Sequence, residues 1–100
     1  MNIRQVRYFL TICDERNFTR AAKRCEVQQP SLTTAIQRLE HEIGGELFVR
    51  SSPVELSALG KALHPLFVRM HDAAEGARRI AAKHAPAPPS NRSFSAPARY

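Results

Sequence analysis

One hundred residues, 43% of them hydrophobic and 24% charged, suffice for one small globular domain with a modest core and no second domain with a ligand cleft. No apolar run reaches membrane-spanning length and no signal-peptide core opens the chain, so it is expected to stay in the cytosol without a membrane partner. The net charge of +6, with a pI near 10.2, suits a polyanionic partner, but residues 1–57 hold eight Lys/Arg against seven Asp/Glu while residues 58–100 hold seven against two, so the total alone marks no binding face.

Ile3, Val6, Phe9, Leu10 and Cys13 recur at helical spacing and predict a first helix over 3–14. Asp14 to Asn17 is polar and reads as a connector, with either Asn17 or Thr19 able to cap the next helix. Phe18, Ala21, Ala22 and Cys25 then share one face of a short second helix, and the two alanines allow a close helix crossing. Arg16, Arg20, Lys23 and Arg24 form a local basic cluster around that helix.

Glu26, Val27 and Gln28 make the turn into a third helix, with Gln28 a weak N-cap; many helix-turn-helix motifs have Gly where Glu26 stands, and likeness to them implies positive φ there. Pro30 fits the first helical turn, Leu32, Ile36, Leu39 and Ile43 form the buried stripe, and Gly44–Gly45 is the stop. The opposite face carries Gln28, Gln29, Ser31, Thr33, Thr34, Gln37 and Arg38. Amides, hydroxyls and a guanidinium are the groups that read base edges, although a solvated amphipathic helix would look the same. Two helices joined by a tight turn, the second with such a face, suit a helix-turn-helix.

Leu47, Phe48 and Val49, then Val54 and Leu56, flank Ser51, Ser52 and Pro53 and predict a two-stranded wing with its apolar residues turned onto the helices. From Ser57 a long helix is predicted to about His84, kinked at Pro65. Leu59, Leu63, Leu66, Met70, Ala73, Ala77, Ile80 and His84 follow a 4-3-4-3 spacing with Phe67 beside them, a seam that implies a partner helix unless it folds back on its own domain. Proline-rich residues 85–100 read as a disordered tail. The expected organisation is thus a DNA-binding unit over 1–57, a linker and dimerisation helix over 58–84, and the tail.

The segments R-Q-V-R-Y-F-L, N-F-T-R-A-A-K-R, V-Q-Q-P-S-L, I-Q-R-L-E, I-G and L-F-V-R-S, in this order, resemble the N-terminal winged helix-turn-helix of LysR-type transcriptional regulators over roughly residues 1–84. The resemblance implies a mostly α fold, a three-helix core with a short two-stranded wing followed by a long dimerisation helix. It implies sequence-specific binding of double-stranded DNA by a homodimer that regulates transcription, cytoplasmic and nucleoid-associated. Gln29, Pro30, Ser31, Thr33 and Thr34 would lie nearest the bases, and Gln28, Arg38 and Arg50 would make phosphate or mixed contacts, with Arg20 and Lys23 as weaker ones. Leu59, Leu63, Leu66, Phe67, Met70, Ala73, Ala77 and Ile80 would form the dimer interface. The family's larger effector-binding domain has no counterpart here, so no small-molecule pocket is expected. Two further roles fit the same residues, heterodimerisation that antagonises a full-length relative and non-specific DNA coating.

Other chemistries find little support. Cys13 and Cys25 lie on apolar helix faces as small hydrophobes. His64 and His71 are two helical turns apart, too far to chelate one ion. With neither a phosphate-cradling Gly-rich loop nor a nucleophile–base pair, the expectation is a non-enzyme without cofactor or metal.

Overall fold

The computed structural model describes residues 1–85, in the order α1 (Ile3–Glu15), α2 (Phe18–Cys25), α3 (Gln29–Ile43), β1 (Phe48–Val49), β2 (Glu55–Leu56) and α4 (Ala58–His84). Each boundary has a local cause. Asn2 and Gln5 form a capping box at α1: Asn2 Oδ1 accepts the Gln5 N–H at 2.8 Å and Gln5 Oε1 accepts the Asn2 N–H at 3.0 Å. The helix stops at Arg16, which enters the left-handed region at φ 53°. Of the two candidate caps for α2, Asn17 is the one used, its Oδ1 accepting the Arg20 N–H at 2.8 Å. Glu26 ends α2 at φ 61°, the positive backbone angle anticipated there, and Gly44 ends α3 at φ 95°. Gln28 precedes α3 without a capping hydrogen bond from its side chain, as its chemistry suggested.

Val6, Phe9 and Ile12 of α1, Ala21 and Ala22 of α2, and Leu32, Ile36 and Leu39 of α3 close over one core, with Leu47 and Phe48 beneath. The Gln5 amide donates to the Ala35 carbonyl at 3.4 Å and bolts the first turn of α1 along α3. The wing strands are antiparallel, Phe48 opposite Leu56 and Val49 opposite Glu55. Successive strand side chains face opposite ways, so Phe48 is buried while Val49 is 52% exposed. The expectation that Val49 turns onto the helices is therefore corrected.

Ser57 caps α4, accepting the Gly60 N–H at 2.9 Å. Gly60 lies so close to the strand that a Cβ there would stand 2.2 Å from the Leu47 carbonyl oxygen. The helix continues through Pro65 as a single 27-residue element. Its first half belongs to the core: Phe67 is 3% exposed, and Leu59, Leu63 and Met70 are half-buried against the same cluster. The expected boundary at 57 is thus crossed by packing, and Phe67 is a core residue of its own chain rather than part of a free seam. What the seam leaves outside is Leu66, Ala73, Ala77 and Ile80. Of the expected tail over 85–100, all but Ala85 lies outside the described residues.

Candidate nucleic-acid interface

Burial of Leu32, Ile36 and Leu39 fixes the rotation of α3, and its opposite face is presented outward. Gln28, Gln29, Pro30, Ser31, Thr34, Gln37 and Arg38 are exposed, and Thr33 is half-buried. Gln29 is also oriented, because the Thr19 hydroxyl donates to its Oε1 at 2.9 Å. That contact uses one lone pair of the amide oxygen and leaves the second lone pair and the amide N–H donors for another partner. Thr19, considered from sequence only as a cap, instead supports this side chain.

The basic groups around the helix divide into two sets. Arg24 reaches Glu15 at 3.2 Å and Asp14 at 3.4 Å, and its hydrogen bond with Glu15 raises its already high pKa. Arg20 donates to the Glu15 carbonyl at 3.1 Å and sits 3.5 Å from that residue's carboxylate. Arg16 faces Glu55 across 3.4 Å. Arg50 lies 4.6 Å from the Phe18 ring centroid and 3.8 Å from Glu40, whose other oxygen accepts the Leu47 N–H at 2.8 Å. Three of the four residues of the basic cluster read from sequence, and the wing arginine, are thus matched by carboxylates of the same chain. Lys23, Arg38 and Arg4 form no ion pair among the described residues.

Arg4 had no place among the site residues expected from sequence because it sits on α1, two elements before α3. Its position follows from the capping box and from the Gln5–Ala35 bond, neither of which a periodicity reports. A groove of about 350 Å³ runs between α1 and α3, lined by Arg4, Pro30, Ser31, Thr34, Ala35 and Arg38.

Elsewhere, burial and then the neighbouring Asp14 push the Cys13 thiol up to about 12, the opposite of an activated thiolate. His64 and His71 line a cleft between α1 and α4 with Asp14. Among the described residues no group of three His, Cys, Asp or Glu is placed to hold a metal ion. No helix there is long and apolar enough to cross a membrane.

A three-helix core, a two-stranded wing and a long C-terminal helix define a winged helix-turn-helix domain. Residues 3–61 match the bacterial regulatory helix-turn-helix proteins of the lysR family, and the chain belongs to that family. It is 48% identical over 62 residues to the probable cat1 operon transcriptional activator of Acinetobacter lwoffii, covering 61% of this chain and 20% of the relative. It is 44% identical over 86 residues to the HTH-type transcriptional regulator BudR of Klebsiella aerogenes, covering 81% of this chain and 60% of that protein. The chain therefore spans only part of the length of these relatives. Its fold matches the BenM_DBD/benA site 1 DNA complex with a TM-score of 0.78 at 30% identity, over 85% of this chain and 100% of that one.

Proposed function

We propose that the chain binds double-stranded DNA in a sequence-specific manner and regulates transcription as a homodimer, in the cytoplasm at the nucleoid. The observation that carries this reading is the outward face of α3. Its amides, hydroxyls and guanidinium stand in solvent on a helix whose opposite side is fully buried. An α-helix enters the major groove, where Gln pairs with adenine through two hydrogen bonds and Ser or Thr takes several partners. Gln29, Pro30, Ser31, Thr33 and Thr34 are the proposed base-proximal residues, with Gln28, Arg38 and Arg50 toward the backbone and Arg20 and Lys23 further out. The family relationship and the fold shared with a DNA-bound domain support the same assignment.

Dimerisation draws on the exposed face of α4. Leu66 and Ile80 are 47% and 60% exposed, with Ala73 and Ala77 between them on one face. Two large aliphatics separated by small residues suit close helix–helix contact. The test is affinity for a duplex enriched from a random pool against a scrambled duplex at one fixed salt concentration. Sequence-specific binding gives a large ratio; equal affinities would reduce the chain to a non-specific coater.

A further inference from the structure

We propose that the groove between α1 and α3 is a phosphodiester site in which Arg4 and Arg38 clamp the DNA backbone, and that it carries more of the phosphate attraction than the basic cluster of α2. The inference rests on the DNA-binding reading of α3 and adds to it a residue from a different helix.

Three observations converge on this groove. First, Arg4 and Arg38 line it together and are both exposed. Neither has a carboxylate partner among the described residues. Two guanidiniums that share a groove without a counter-charge repel each other, and an anion between them removes that repulsion. Guanidinium is also the side chain best matched to phosphate oxygens, through paired N–H donors.

Second, the competing cations are already compensated. Arg24, Arg20 and Arg16 face Asp14, Glu15 and Glu55, so moving any of them onto a phosphate exchanges one ion pair for another. Arg4 and Arg38 have no such pair to give up, so contact with DNA neutralises phosphate charge in full and releases its counterions.

Third, the geometry is held. The Asn2–Gln5 capping box sets the first turn of α1, and the same Gln5 side chain donates to Ala35 O, which belongs to a residue lining the groove. The first turn of α1, which carries Arg4, is therefore held in place beside α3. Ser31 and Thr34 line the same groove, so the clamp adjoins the residues proposed to face the bases.

The test measures binding to a random-sequence duplex by fluorescence anisotropy across a salt series, because phosphate contacts are independent of sequence. Arg4→Gln and Arg38→Gln are each expected to flatten the slope of log K against log salt by about 0.9 per protomer on the duplex, hence about 1.8 for a bound homodimer, and the double variant by about twice that. Arg4→Lys retains the charge and the slope, while Arg24→Gln leaves the slope nearly unchanged. Far-ultraviolet circular dichroism should be the same in all variants, since these side chains are exposed. An unaltered slope in Arg4→Gln, with normal wild-type binding, would overturn the clamp and leave the reading of α3 standing. A larger loss in Arg24→Gln than in Arg4→Gln would overturn the ranking. A wild-type chain that bound no duplex would overturn both the clamp and the DNA-binding reading.

Discussion

The ring of Phe67 on α4 meets that of Phe9 on α1 edge-on, with centroids 4.9 Å apart, and both side chains are almost wholly buried. This contact anchors the first half of the long helix to the three-helix core, and Phe9 passes it on to Phe48 of the wing at 5.3 Å. Deleting a buried phenylalanine leaves a cavity, so Phe67→Ala is predicted to cost about 3–5 kcal/mol. Urea denaturation of the variant checks this; a loss below about 1 kcal/mol would mean that α4 is not anchored there.

One residue earlier the helix faces the other way. Leu66→Glu places a charge on the exposed face that carries Ala73, Ala77 and Ile80, away from Phe67. The prediction is a folded monomer with unchanged helicity and a lost dimer. Sedimentation velocity separates the two effects, and an intact dimer would remove this face from the interface.

Gly60 tests the seat of α4 on the wing. The obstacle is steric, since an added methyl would meet the Leu47 carbonyl oxygen at 2.2 Å and Leu56 Cδ2 at 2.9 Å. Although alanine is the better helix former, Gly60→Ala is predicted to destabilise by about 1–3 kcal/mol, as overpacking does. A raised Tm would contradict the close approach.

Gln29→Ala is predicted to cost about 1–3 kcal/mol on the preferred duplex and to relax the sequence preference at one position. Thr19→Val, which removes the donor to Gln29 Oε1, should shift the preference in the same direction by a smaller amount. Titration against a set of single-base variants reads both, and unchanged selectivity in Gln29→Ala would take that residue off the base edges.

Cys13 predicts an alkaline limit. The folded thiol keeps its proton up to about pH 12, held there chiefly by burial, whereas an unfolded thiol loses it near 9. Above pH 9 the unfolded chain therefore binds fewer protons than the folded one, and stability falls as pH rises toward 12. Replacing Cys13 by Ala should remove this part of the alkaline decline, followed as Tm against pH; an identical decline would assign it to other groups.

Periodicity sufficed for the helices because each buries one stripe, and the stripes ending in Cys13, Cys25 and Ile43 fall where the structure turns. It failed where a neighbour decides. Val49 alternates outward because β1 is only two residues long and Phe48 takes the inward position. The seam of α4 read as one surface because a heptad pattern does not tell which apolar residues meet the helix's own domain and which remain outside. Phe67 and Leu66 adjoin in sequence and part in space. The exposed polar face of α3 was legible from its residue types and its buried stripe. The charge layout was not, since the pairing of Arg16, Arg20 and Arg24 with Glu55, Glu15 and Asp14 depends on how three elements meet.

The most direct test of α3 as a reading head is selection of bound duplexes from a fully random pool by the wild-type chain. Two paired reading heads should enrich one dyad-symmetric sequence, with half-sites about one helical turn or a multiple apart. A pool that emerges as random as it entered, although bound, would contradict a reading role for α3.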